Sequence, residues 1–452
     1  MEIDIPAEIA GLPLLPLAFD RQQRLVEPEQ VDAVRDHLAR AESTDLLVLS
    51  HGWNNDAADA LQLYRQLLTN IGEQARGPWD DREVAVVAVF WPSKRFADRD
   101  LIPGGAAELS GDVPTAVLLA EIEDLRGSFD DSSLDRLREL APQVADSREA
   151  RRGFAEAVRE LVEVGDDEEV DDEIPSGFFS TDGAEMIEEL GVPREEELAA
   201  VGDGGGREGG IAVVGARGPT DDAARGGAAF LGSAFAGIRS GARNALNLAT
   251  YYTMKRRAGE TGRGGVAPVL REVRRAAPDV RFHLAGHSFG GRLVAAAALG
   301  ENDDDPALPV DSLTLLQAAF SHHGFAENYE PGKHGYFRNV VAGSRVRGPL
   351  VVTHTHNDRA NTWAYPMASR LRRQRAAMFG GPSDPYGAIG SNGALKTPGA
   401  EFGELLPADG DYHFGPGEIH NLESSASIPD HGTVTGAEVA NIIISVVEAD
   451  YR

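Results

Sequence analysis

Short, almost unbroken apolar runs alternate with amphipathic stretches in both outer parts of the chain. Residues 44–50 and 82–91 are two such runs, the second stopped by Pro92. Between them Leu61, Tyr64, Leu68 and Ile71 recur at helical spacing, and Asp56 stands where an N-cap belongs. Upstream, 12–20 reads as a first strand weakened by Pro13 and Pro16. Residues 28–41 read as a helix that opens on proline and carries Val31, Val34 and Leu38 on one face. Strands that are apolar at every position, separated by helices, predict an α/β fold: a mostly parallel sheet with helices on both faces.

The alternation breaks near residue 97 and resumes near 266. Between these points no strong strand pattern occurs. Residues 101–111 are loop-like, and 114–125, 133–140 and 147–164 read as helices. Residues 166–173 are almost wholly acidic and 201–210 are rich in glycine, the composition of solvated loops. Residues 226–254 are rich in Ala and Gly, with Phe230, Leu231, Phe235, Ile238, Leu246, Leu248 and Tyr251 spread along them. One or two helices there serve either as a lid over a site or as an ordinary buried pair, and the pattern fits both. Beyond 266 come a helix at 266–277, strands at 279–285, 310–320 and 349–355, and an arginine-rich helix within 359–378. A long Gly/Pro loop at 379–397 and a short strand within 412–422 follow. The last helix buries Val439, Ile442, Ile443, Val446 and Val447, and Thr435 with Glu438 has the spacing of a capping box. The expected organisation is a core split into 1–96 and 266–452, with 97–265 as a mainly helical insertion.

Candidate chemistry concentrates where the alternation resumes. An apolar run ends at Gly286, Ser288 follows, and a helical pattern runs from there to a C-cap glycine, Gly300. Gly286, Ser288 and Gly290 make a G-x-S-x-G pattern that is near chance alone but sits in the strand–turn–helix context of a nucleophile elbow. The alternative is a glycine-rich surface turn. A serine hydroxyl needs a base, a group to orient that base, and donors for a developing oxyanion. The N–H of Phe289 follows the elbow directly, and His51-Gly52-Trp53 ends an earlier strand, which makes the Trp53 N–H a second donor. His51, Gly52, Gly286, His287 and Gly290 are supporting positions. Asp358 follows the strand at 349–355 and is the candidate acid; a loop or cap aspartate is the plain alternative. Among the chain's 12 histidines, His431 is the candidate base, because it follows Asp358 and precedes the last helix, with His420 and His413 behind it.

Taken together, His51-Gly-Trp, Gly286-His-Ser-Phe-Gly-Gly, Asp358 and His431 resemble the α/β-hydrolase superfamily over roughly 10–96 and 266–452. Within it, Leu-Ser-His-Gly-Trp-Asn-Asn-Asp and Thr-His-Thr-His-Asn-Asp are similar to a bacterial group with a large insertion before the elbow. The resemblance implies the α/β-hydrolase fold, hydrolysis of an ester, lipid or related acyl substrate by a Ser-His-Asp triad, and no metal or organic cofactor. The insertion is much longer than the usual cap, so it carries no substrate inference.

Composition narrows the rest. The 452 residues contain no cysteine, which excludes disulfides, thiolate metal sites and cysteine nucleophiles. A net charge of −29 argues against a nucleic-acid partner. No signal peptide and no transmembrane run are expected, which predicts a cytoplasmic protein; its oligomeric state is not legible. Two other readings compete. His354, His356 and Asp358 form H-x-H-x-D, which resembles the metal motif of metallo-β-lactamase-type hydrolases and implies a metal-dependent hydrolase, although Arg359 stands where that motif continues with histidine. A binding module on a retained hydrolase core, with the acidic insertion as its surface, is the non-enzyme alternative.

Overall fold

The apolar residues of the central strands divide by turns between two cores. Leu46 and Val48 bury into one, Leu47 and Leu49 into the other. Such strands are covered on both faces, because successive side chains leave a strand on opposite sides. The computed structural model describes residues 4–53, 55–75, 79–93, 113–162, 176–192, 228–300, 308–358 and 387–449, with 176 and 228–236 described by backbone alone. The expected loops at 101–111, 166–173 and 201–210, the helix within 359–378 and the first part of the loop at 379–397 lie outside these residues.

The described strands are β1 (Glu8–Ile9), β2 (Leu12–Ala18), β3 (Asp45–Ser50), β4 (Val84–Phe90), β5 (Arg281–His287), β6 (Ser312–Leu316), β7 (Leu350–His354), β8 (Ala400–Glu404) and β9 (Ile419–Glu423). They form one nine-stranded sheet in the order β1-β2-β4-β3-β5-β6-β7-β9-β8. Only β1 runs antiparallel to its neighbour. The fold is α/β with a mostly parallel sheet, as the pattern predicted. From β3 the chain builds outward to β4, then returns to place β5 on the other side of β3. Ligands of open α/β sheets bind outside the carboxyl ends of the strands at such a reversal. Here that crevice lies between the ends of β3 and β5, where Ser50 pairs with Gly286.

On one face, α1 (Glu29–Arg40) opens at Pro28, and α2 (Ala57–Gln74) lies on the other. Asp56 caps α2 through the N–H groups of Ala58 and Asp59, and the Asp59 side chain returns the bond. The middle of the chain is helical: α3 (Thr115–Asp124), α4 (Asp131–Leu140), α5 (Arg148–Glu160), α6 (Ser176–Ser180) and α7 (Gly183–Leu190). The stretch expected to hold one or two helices is a single one, α8 (Ala228–Glu260). It continues through a π-helical turn at Thr261–Val266 into α9 (Ala267–Ala276), so a helical path crosses position 265 without a break. Helix α10 (Phe289–Leu299) follows β5, α11 (Arg338–Ala342) precedes β7, and α12 (Ile389–Asn392) occupies part of the expected Gly/Pro loop.

Two local expectations are corrected. Strand β8 was not foreseen: Ala-Glu-Phe-Gly-Glu is exposed at the sheet edge and shows neither alternation nor an apolar run. The last helix, α13 (Ala437–Glu448), starts at Gly436 with no side-chain cap. Thr435 is not a capping-box residue. Its hydroxyl faces Gln66 and its carbonyl accepts from Asn70, both on α2, so tertiary bonds displace the local cap.

Candidate active site

Strand β5 ends at His287, and the backbone turns at Ser288 with φ 56° and ψ −123°, a region that side-chain-bearing residues rarely occupy. Such a conformation costs about 1–3 kcal/mol and persists only where its surroundings enforce it. Here three backbone bonds do so. The Ser288 N–H donates to Leu316 at 3.0 Å, and its carbonyl accepts from Gly291 and Ala319, each at 3.0 Å. Close packing adds to them: a Cβ on Gly290 would run into the Ser50 carbonyl, and one on Gly286 into the Gly290 carbonyl. The G-x-S-x-G glycines are therefore steric requirements of a helix packed hard against two strands.

The second half of the site comes from the ends of β7 and β9. Asp358 closes a turn after β7, its N–H donating to Thr355 at 3.2 Å. Asn357 Nδ2 donates to the Ser425 carbonyl at 3.0 Å, and the Thr355 and Ser425 hydroxyls lie 2.8 Å apart. These bonds tie the segment after β9 to the turn after β7, and six residues on from Ser425 it delivers His431. Its Nδ1 lies 2.9 Å from Asp358 Oδ2, and its Nε2 lies 2.8 Å from Ser288 Oγ. The Asp358 side chain is fully buried, whereas His431 keeps 19% of its side-chain surface. Burial alone would disfavour a charged imidazole, but the charge and hydrogen bond of Asp358 outweigh it and raise the pKa of His431 above the ordinary histidine value.

Across the crevice, His51-Gly52-Trp53 leaves β3 directly against the turn. A Cβ on Gly52 would sit 2.7 Å from the Ser288 Cβ, which explains the glycine. His51 is buried and works as a strut. Its N–H donates to the Tyr64 hydroxyl at 2.9 Å, its Nδ1 donates to the Gly52 carbonyl at 2.9 Å, and its Nε2 accepts the Trp91 N–H at 3.3 Å. Burial pushes its pKa down to about 4 against the Gly52 bond, so it stays neutral. Phe289 opens α10, where first-turn N–H groups have no intrahelical acceptor. The rings of Trp53 and Phe289 lie 5.9 Å apart, and Tyr251 of α8 packs on both, at 5.9 and 5.1 Å.

Ser288, His431 and Asp358 thus meet in one hydrogen-bonded row, with His51, Gly52, Trp53, Gly286, His287, Phe289 and Gly290 around it. The other histidines considered lie elsewhere. His420 bonds Glu418 at 3.0 Å, and His413 is exposed near Asp411. His356 is exposed and bonds Ser425 at 2.7 Å, while Asp358 is engaged with His431. Among the described residues no three His, Asp or Glu side chains are placed to hold a metal ion. Trp91, Thr355 and Asn357 support the site without a signal in the sequence beyond their places at strand ends, and Tyr64 without one beyond its place on the apolar stripe of α2. Among the described residues, no helix is long and apolar enough to cross a membrane. No protein family matches the chain, and neither a curated protein nor a solved structure matches it.

Proposed function

We propose that this chain is a serine hydrolase of the α/β-hydrolase type, with Ser288 as nucleophile, His431 as base and Asp358 as its orienting acid. One observation carries the reading: Ser288 Oγ, held at a strained positive φ, lies 2.8 Å from a histidine whose other nitrogen is 2.9 Å from a buried aspartate. His431 Nδ1–H donates to Asp358, which leaves the Nε2 lone pair to accept the serine proton. Ser288 Oγ bonds to the carbonyl carbon of a carboxylic ester, and the carbonyl electron pair moves to oxygen, where the N–H groups of Trp53 and Phe289 receive it. The intermediate collapses by breaking the carbon–oxygen bond of the ester. The leaving alkoxide takes the proton from His431, and an acyl-serine remains. Water, losing a proton to His431, attacks the acyl carbon; the bond from that carbon to Ser288 Oγ breaks, Oγ takes the proton back from His431, and the acid is released.

The insertion at 97–265 acts in this reading as a lid, supported by Tyr251 of α8 packing on the two residues assigned as oxyanion donors. The substrate is a small ester or a lipid-like ester. A fluorophosphonate probe tests the assignment: labelling at Ser288, abolished in Ser288→Ala, is expected. Absence of labelling under conditions that label a control serine hydrolase refutes it. Turnover of p-nitrophenyl esters of rising chain length then sorts short-chain from lipid-like substrates.

A further inference from the structure

The residue before the nucleophile belongs to the same strand but not to the row of proton transfer. The His287 side chain faces the segment that carries the base. Its Nε2 lies 2.8 Å from the main-chain carbonyl of His431. A carbonyl only accepts, so Nε2 carries the proton and Nδ1 keeps a lone pair. The two rings are tilted against each other with centroids 4.9 Å apart. On its other side His287 abuts the β3 exit: a Cβ on Gly52 would meet the His287 carbonyl at 3.1 Å and its Nδ1 at 3.2 Å. His287 is 7% exposed, and among the described residues Nδ1 has no hydrogen-bond partner.

We propose that His287 is a positioning residue for the base: its Nε2–H grips the His431 backbone and sets the imidazole between Ser288 and Asp358. This rests on the serine-hydrolase reading for its consequence in turnover, but the grip itself does not. Apart from the His431 side chain and the buried Val434 side chain, the segment from Asp430 to Val434 is shaped by local backbone bonds, with Asp430 Oδ1 accepting from the N–H groups of Gly432 and Thr433 at 2.8 and 3.0 Å. Those bonds shape the loop but do not tie it to the sheet. A shift of about 1 Å in a catalytic group costs on the order of 100-fold in rate, so a bond that joins the base's backbone to β5 has kinetic weight. Burial, and then the charge that His431 acquires during turnover, push the pKa of His287 down to about 3. It therefore stays neutral while its neighbour is protonated.

The test compares wild type, His287→Gln, which keeps a donor at the Nε2 position, and His287→Leu and His287→Phe, which remove it. Each variant's melting temperature is recorded. The expected result is fluorophosphonate labelling of Ser288 within about three-fold of wild type for the Gln variant and ten-fold to hundred-fold slower for the donor-less variants, with kcat lowered more than KM raised. Wild-type labelling rates in His287→Leu or His287→Phe overturn the proposal. NMR of nitrogen-labelled histidine adds a reading that needs neither catalysis nor a variant. His287 should be the Nε2–H tautomer in wild type, and an Nδ1–H tautomer sinks the idea. If wild-type Ser288 is not labelled at all, the hydrolase reading falls by itself. The positioning role is then decided by the tautomer and by whether the His431 titration moves in the donor-less variants and returns in His287→Gln.

Discussion

Strand β5 carries a Ser–His–Asp hydrogen-bond row at each of its ends. At the carboxyl end it is Ser288, His431 and Asp358. At the amino end, Ser312 Oγ lies 2.8 Å from His283 Nδ1, and His283 Nε2 lies 3.0 Å from Asp45 Oδ1. The bond lengths barely differ, yet the two rows suit opposite tasks. The lower row is built from in-strand residues on β3, β5 and β6, with Ser312 opposite His283 and Asp45 opposite Arg281, and Ser312, His283 and Asp45 are at most 1% exposed. Arg281 Nε donates to Asp45 at 2.7 Å and its other nitrogens reach the carbonyls of Val447 and Ala449, at and just beyond the end of α13. The lower carboxylate is thus spent on a guanidinium and on anchoring the last helix. Burial disfavours the His283 imidazolium more than Asp45 favours it, so its pKa falls, whereas that of His431 rises. A relay of hydrogen bonds is therefore not what distinguishes the proposed active site. A strained apex beneath a base that keeps 19% of its side-chain surface, with flanking N–H donors at a topological reversal, is.

That contrast can be broken by substitution. Ser288→Ala should lower kcat by on the order of 10⁴–10⁶, while Ser312→Ala should leave turnover within about two-fold and reduce stability by about 1 kcal/mol. Esterase assays and urea unfolding of both variants read the two effects, and equal losses of activity would erase the distinction. Next in size are the aspartates. Asp358→Asn should cost on the order of 10³–10⁴ in kcat with an unfolding midpoint close to wild type. Asp45→Asn should do the reverse, costing about 3–5 kcal/mol, because it leaves the buried Arg281 without its carboxylate.

The pH dependence separates the rows again. His431 must be neutral to accept a proton, so kcat/KM should fall as pH drops through a midpoint above about 6.5, the ordinary histidine value. A midpoint well below that value contradicts the Asp358 coupling. For Asp45, burial is outweighed by bonds from His283, Arg281 and Thr44, which hold its pKa at about 2 against an unfolded 3.8. Its contribution, about 2 kcal/mol, is present above the unfolded value and is lost as pH falls from about 4 toward 2. His283 adds an earlier loss. Its folded pKa is depressed, so below about 6.5 the unfolded chain takes the proton first and stability declines. Urea midpoints across pH should follow both steps in wild type and lose the lower one in Asp45→Asn. A more modest loss of turnover is expected at α8: Tyr251→Ala should slow it by about ten-fold to hundred-fold by loosening Trp53 and Phe289, with Tyr251→Phe close to wild type.

Much of this architecture was legible because burial leaves a periodic trace. β3, β4 and β5 and helices α2 and α13 announced themselves by apolar runs or stripes, and Ser288, Asp358 and His431 stood at the ends of such elements in chain order. Where local pattern and tertiary contact disagreed, contact won. Thr435 turned from its own helix toward Gln66 and Asn70, and β8 formed from an exposed, patternless pentapeptide because β9 offered an edge. The lower Ser–His–Asp row left no trace either, since Asp45, His283 and Ser312 look like polar interruptions of apolar strands until strand pairing sets Ser312 opposite His283 and Asp45 on its diagonal.

By itself, then, the sequence determined the α/β alternation, the glycines at the turn and the order of the three polar residues, because propensity, periodicity and steric demand act within a few positions. Only the tertiary structure decided that His431, rather than His413 or His420, lies on Ser288, and that Asp358 bonds it rather than serving His354 and His356. It also decided that His287 grips the loop of the base. Those outcomes depend on loops 70 residues (358 − 288) and 143 residues from Ser288 in sequence being tied to neighbouring strand ends, and no local pattern encodes which ends become neighbours.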